Sequence, residues 1–154
     1  MAVALRLALI SLSWGAIQFV AGGLAHIIPR RVFTRSLETE PRPEPALARV
    51  AYRRVLRVHR WKDRLPEAGA LFAGGFSKRG FVGRDPARLL VFIAETRRAE
   101  FSHWLAALLS LTFFLWNTPA VAIWMPPVGL AGNAPFIVVQ RYVRMRLRAL
   151  LAMK

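Results

Sequence analysis

Two blocks of this chain carry no charged residue: Leu7 to Ile28, over 22 positions, and Leu105 to Gln140, over 36. A helix crosses the hydrocarbon core of a bilayer with roughly 20 apolar residues. The first block is long enough to cross once and the second to cross twice as a tight hairpin. The pattern predicts an all-α integral membrane protein with three transmembrane helices, an N-terminal span over about 7–28 and a C-terminal hairpin over about 96–116 and 119–140. A segment of about 29–95 separates them, and the 154 residues form a single membrane domain. A cleavable leader is the competing reading of the first block, with Arg6 in its basic region and Gly23-Leu24-Ala25 near a cleavage site. Its apolar run exceeds the roughly 7–15 residues of a leader core, so a retained span is expected.

Two turn signals compete inside the second block, Asn117-Thr-Pro119 and Met125-Pro-Pro127. A turn near 126 leaves a return leg of roughly 21 Å, short for a span. A turn near 118 gives roughly 33 Å and draws a polar run into the membrane edge on the outgoing leg. Residues whose numbers sum to about 236 then lie at equal depth in an antiparallel pair, roughly one residue per 1.5 Å on each leg. His103 meets the level of Asn133, Thr96 that of Gln140, and Glu95 that of Arg141. This coincidence of polar residues favours the turn near 118, with Pro126, Pro127 and Pro135 as kinks in the return leg.

The segment between the blocks is basic and punctuated. Pro29-Arg30-Arg31 closes the first span, and Glu38 to Pro45 reads as a loop. A helix is expected from Ala46 to Arg64, with Arg49, Arg53, Arg57, Arg60 and Arg64 on one face and Leu47, Ala51, Val55 and Val58 on another. Such a helix either lies on a membrane surface or packs on the protein's own core. Gly69 to Gly83 is a glycine-rich loop carrying Lys78 and Arg79, and its spacing matches no P-loop. Asp85-Pro86 is an N-cap followed by proline at the first helical position.

Charge refines the orientation. The net charge is +15, with 17 basic residues between Arg30 and Arg98 and all 8 acidic residues between Glu38 and Glu100. Arg141 to Lys154 adds five more positive charges, whereas Asn117 to Gly132 has none. The positive-inside rule places the central segment and the C-terminus in the cytoplasm and the N-terminus outside, as expected for a multi-pass protein of a bacterial inner membrane. The excess positive charge then serves orientation and anionic lipid, and the chain has too little soluble basic surface for nucleic acid. There are no cysteines, which excludes disulfides, thiolate metal sites and a cysteine-bound acyl intermediate. His26, His59 and His103 are too scattered for a metal cluster.

The chemistry concentrates in Glu95-Thr-Arg-Arg-Ala-Glu-Phe-Ser-His-Trp104, which sits directly against an apolar run. Ionisable groups at a membrane edge are costly, so they are either interface anchors or a site. Arg97 and Trp104 fit the anchor reading. Glu100 and His103, three apart on a helix, can pair, and a carboxylate that orients an imidazole makes a general base. Glu95 lies too far from His103 for that and is placed to hold Arg98 or Arg141. Asn133, Gln140 and Arg144 share a helical face with Arg141 beside it. Asn133 needs a partner within lipid, either a neighbouring helix or the carbonyl freed by Pro135. His59 and Asp63 have an H-x-x-x-D spacing that is seen in acyl-transfer enzymes.

Three motifs carry a family resemblance: Arg60-Trp-Lys-Asp-Arg-Leu-Pro-Glu-Ala-Gly69, the run from Glu95 to Trp104, and Asn133-Ala-Pro-Phe-Ile-Val-Val-Gln-Arg-Tyr142 followed by Arg144 and Arg146-Leu147. From about residue 50 to 150 the chain resembles the glycosyl-4,4'-diaponeurosporenoate acyltransferases, small bacterial membrane proteins of carotenoid pigment synthesis. The family's Q-R-Y-N-R-P-R-L ending stands here as Gln140-Arg-Tyr-Val-Arg-Met-Arg-Leu147, with Val143 and Met145 in place of asparagine and proline. The resemblance implies transfer of a fatty acyl group to a sugar hydroxyl of a glycosylated carotenoid or similar glycolipid.

The expected catalytic set is His103, Glu100 and Glu95, with Asn133 or Arg98 stabilising an oxyanion. Expected substrate contacts are Arg98, Asn133, Gln140, Arg141, Tyr142, Arg144, Trp61, Lys62 and Asp63. Lys62, Lys78 and Arg79 are placed to hold carrier phosphates. No bound cofactor or metal is expected; the co-substrate is an acyl thioester, acyl-CoA or acyl carrier protein. The expected partners are the bilayer, a lipidic glycosyl acceptor and other pathway enzymes. The alternative is a non-catalytic protein that binds lipid or scaffolds a pathway through the polar hairpin face.

Overall fold

The computed structural model describes residues 2–38, 45–65 and 85–153, and among these every regular element is helical. The Gly69–Gly83 loop with Lys78 and Arg79 lies outside the described residues. Helix α1 (Ala2–Ile27) is followed at Pro29 by the short α2 (Arg30–Glu38). Helix α3 (Ala46–Val50) leads into a π-helical turn and two 3-10 turns, Val58–Arg60 and Lys62–Arg64. Helix α4 (Pro86–Leu109) tightens into a 3-10 stretch, Ser110–Leu115. The chain reverses at Trp116–Thr118 and returns through α5 (Pro119–Ala122) and α6 (Met125–Ala152).

Local chemistry fixes these boundaries. The Asp85 carboxylate accepts a hydrogen bond from the Ala87 amide at 3.1 Å, and Pro86 occupies the first helical turn, where its missing N–H costs nothing. The Asn117 side chain donates to the Phe113 carbonyl at 3.2 Å and closes the 3-10 stretch. Pro126 and Pro127 fall in the first turn of α6 after a break at Ile123–Trp124, and Pro135 lies inside the helix.

Two helical stretches, Val3–Ile27 and Pro119–Ala152, are long and apolar enough to cross a membrane. Helix α4 does not meet the same measure because its polar run occupies its middle. On α1, Leu5, Leu12, Phe19 and Ile27 point outward and are mostly exposed. So large an apolar surface is costly in water and at home in lipid.

The expected helix over 46–64 is interrupted. Arg57 adopts a left-handed conformation (φ 46°, ψ 39°), and the Trp61 indole N–H donates to the Leu56 carbonyl at 2.9 Å. The turn buries Val58 fully against Val139, Tyr142 and Met145 of α6, with Trp61 and Tyr52 packed around it. A straight helix would hold Val58 on its own face, so docking onto α6 outweighs the roughly 1–2 kcal/mol cost of a left-handed residue. The segment therefore packs on the protein's own core.

Helices α1, α4 and α6 meet around a small-residue contact. A Cβ on Gly129 would lie 2.8 Å from the Trp14 ring and 2.9 Å from Ser110 Cβ. Trp14 stacks on Phe113 at 5.0 Å, in a cluster with Ile17, Ala21 and Ala106. Close approach through small residues is how helices gain packing in lipid, where the hydrophobic effect offers no gradient. Gly129→Val should separate α6 from α1 and cost about 1–3 kcal/mol. A thermal unfolding curve of the detergent-solubilised variant that overlays the wild type would exclude this packing.

Candidate functional site

The antiparallel α4–α6 pair brings the polar residues together in two layers. In the deeper layer Asn133, almost completely buried, links three helices. Its Oδ1 accepts from Gln18 Nε2 of α1 at 3.2 Å and lies 2.9 Å from His103 Nδ1 of α4. Its Nδ2 donates to the Gly129 carbonyl at 2.9 Å. The neighbouring helices and its own helix thus satisfy the amide, not the Ala131 carbonyl that Pro135 frees. Phe136 stacks on the His103 ring at 4.7 Å and holds its plane.

This arrangement sets the imidazole tautomer. Asn133 Nδ2 is committed as a donor and Oδ1 as an acceptor, so His103 Nδ1 carries the hydrogen. The lone pair of the neutral ring then resides on Nε2, which has no hydrogen-bond partner among the described residues. A half-buried imidazole oriented through one nitrogen and open at the other is the arrangement a general base requires.

The expected Glu100–His103 pair does not form. Glu100 instead accepts from Arg141 Nε at 2.6 Å through one oxygen and from Arg144 at 2.5 Å through the other. Trp104 Nε1 also reaches it, at 3.4 Å. Two charge-assisted bonds from α6 outcompete one to an imidazole within α4, because guanidinium matches carboxylate in charge and geometry. Glu100 therefore ties the hairpin together and positions the arginines; the amide of Asn133 orients His103.

Glu95 forms a third cluster where α1 meets α2. It pairs with Arg98 through both oxygens at 3.1 Å and with Arg30 at 3.0 Å. Arg98 also donates to the Ile28 carbonyl at 3.3 Å, and Arg97 to the Phe33 carbonyl at 3.0 Å. Glu95 thus holds Arg98 but not Arg141, and it is remote from His103. Neither expected oxyanion donor is placed for that role: Arg98 belongs to this cluster, and Asn133 is buried and engaged.

The remaining candidates divide. Gln140 is half-buried on α6, and its side chain has no hydrogen bond to the described residues. Tyr142 is buried in the core with Tyr52, their rings 6.4 Å apart. Trp61 caps the Arg57 turn, and Lys62 pairs with the exposed Asp63. His59 and Asp63 lie in separate short turns, so the expected common helical face is absent. No group of three or more His, Cys, Asp or Glu able to hold a metal occurs among the described residues. Gln18 is not among the expected site residues, although a strongly polar side chain within the first uncharged block is a signal in its own right.

A family model described as glycosyl-4,4'-diaponeurosporenoate acyltransferase matches residues 29–153, which include His103, Asn133, Glu100, Arg141, Arg144, Glu95 and Arg98 but not Gln18. The chain belongs to this family. Curated proteins of that name from Staphylococcus haemolyticus and Staphylococcus aureus are 28% identical over 96 residues and 30% identical over 94 residues. These stretches cover 62% and 61% of this chain and 56% of each relative, so the match spans little more than half of those proteins. No solved structure matches the chain.

The buried ion pairs and the exposed helix cap differ in how they respond to substitution. Removing Glu100 leaves Arg141 and the largely buried Arg144 facing each other without compensation. Glu100→Ala should cost about 3 kcal/mol, as for breaking a buried ion pair. Asp85→Ala, which removes an exposed cap, should cost about 1 kcal/mol. Thermal unfolding of both variants tests the ranking, and the reverse order would refute the proposed role of Glu100.

Proposed function

We propose that this protein is a membrane O-acyltransferase that moves a fatty acyl group from an acyl thioester to a sugar hydroxyl of a glycosylated carotenoid or similar glycolipid. The observation that carries the reading is the His103–Asn133 contact, which leaves imidazole Nε2 as the open base in a chain of this family. His103 Nε2 takes the proton from the sugar hydroxyl as its oxygen attacks the thioester carbonyl. The tetrahedral intermediate collapses, the C–S bond breaks, and the departing sulfur takes the proton back from His103. The products are the ester and the free thiol. The chain has no cysteine, which excludes an enzyme thioester, and the proposed mechanism is direct transfer.

Both substrates have long apolar parts, which suits a site at the edge of apolar helices. The protein is read as multi-pass, with the α4–α5–α6 hairpin and α1 in the bilayer and the basic segment and C-terminus on the cytoplasmic side. Arg141 and Arg144, held by Glu100, flank the layer where a sugar headgroup would lie.

His103→Gln keeps a polar ring-sized group but removes the base. In membranes with verified insertion it should lower kcat by about 10²–10⁴-fold. Asn133→Leu should lower kcat as well, since the tautomer is no longer held. Unchanged product formation by His103→Gln would end the mechanism, and absence of any product from the wild type in the same membranes would favour a non-catalytic lipid-binding role. Lipid extracts of a glycolipid-producing host with and without the protein should differ by a new ester of a glycosylated lipid.

A further inference from the structure

Beside the Glu100 layer an open cleft of about 350 Å³ is lined by Arg97, Glu100, Phe101, Trp104, Arg144 and Arg148. Arg97, Arg148 and Trp104 take no part in the His103 layer. Among the described residues that line it, three arginines share one carboxylate, and both oxygens of that carboxylate are already engaged by Arg141 and Arg144. Arg97 lies within electrostatic reach of Arg144 and Arg148 as well as Glu100. Like charges gathered in a partly buried site repel one another, and a bound anion removes that cost.

Arg144 supplies a second, independent observation. One of its terminal nitrogens bonds Glu100, while the other, Nη1, is buried with no hydrogen-bond partner among the described residues. An unmet guanidinium donor on a residue that lines an arginine-rich cleft calls for an acceptor. A carboxylate presents two oxygens in one plane, whereas a phosphate ester presents two or three free oxygens on a tetrahedral centre and can receive guanidinium groups converging from different directions. The other walls are aromatic: Phe101 and Trp104 are 39% and 44% exposed. A charged end against an apolar end matches a molecule with both.

We infer that this cleft binds the phosphate group of an amphiphile. That chemistry is shared by a phosphorylated acyl-thioester donor and an anionic phospholipid headgroup. The inference stands apart from the acyl-transfer reading because binding is measured without turnover.

The test uses the full chain in phosphatidylcholine nanodiscs. In one arm coenzyme A is titrated and its binding followed by equilibrium dialysis. In the other, phosphatidylglycerol is mixed into the nanodisc and its retention on the released protein is counted by native mass spectrometry. Saturable binding is expected in at least one arm, and which arm identifies the source of the phosphate. Arg148→Gln should weaken it by about fivefold or more, Arg148→Lys less, since charge remains without the fork. Arg88→Gln, on the exposed start of α4, should bind like the wild type. His103→Gln should also bind normally, which separates failure of this inference from failure of the catalytic reading. No saturable binding in either arm, or equal binding by a folded Arg97→Gln/Arg148→Gln double variant, would overturn it.

Discussion

The structure depends on a buried amide. Asn133 has one carbonyl oxygen and one amino group, and α1, α4 and its own helix use both. In a low-dielectric interior each of these groups would cost several kcal/mol if unmet, so the amide accepts only arrangements that satisfy it. That requirement fixes the position of α6 along α4 and brings α1 against both. The close Gly129 contact with Trp14 and Ser110 lies one helical turn further along and is compatible with the same position. Polar satisfaction and steric fit therefore specify one arrangement of the three helices.

The ionic layer follows from that register. With His103 opposite Asn133, Glu100 stands near the level of Phe136, and the long Arg141 and Arg144 side chains reach back to it, so a single carboxylate bridges two guanidinium groups. Glu95 performs a similar task at the elbow between α1 and α2, where Arg98 and Arg97 also donate to main-chain carbonyls. The charged residues of α4 are thus divided by face, one set tying the hairpin and the other tying the N-terminal helices. The imidazole is left to a neutral partner.

Much of this layout was legible in the sequence, for reasons that differ by residue. The level of His103 against Asn133 followed from helix rise and a turn near 118, both properties of the backbone. The start of α4 followed from Asp85-Pro86, whose chemistry is local. The partner of Glu100 was not legible, because spacing within one helix showed His103 in reach but could not rank it against arginines arriving from α6. The break at Arg57 was hidden for the same reason: its cause is the burial of Val58 and Trp61 against another helix. Gln18 was visible as a polar residue in an apolar block, but its partner lies 115 positions away.

The polar layers are also graded. Moving from Gly129 towards the C-terminus of α6, the contacts pass from the uncharged Trp14 and Ser110 packing to a neutral amide and imidazole, and then to full ion pairs. In a bilayer this gradient works as a waterline. Sinking the hairpin by one turn, about 5.4 Å, would carry Glu100 and Arg144 towards the depth of His103, while raising it would expose the Trp14 cluster. The hairpin therefore sets its own draught. Under the acyl transfer proposed above, an acceptor whose headgroup lay at that level would meet Nε2 without a search along the membrane normal.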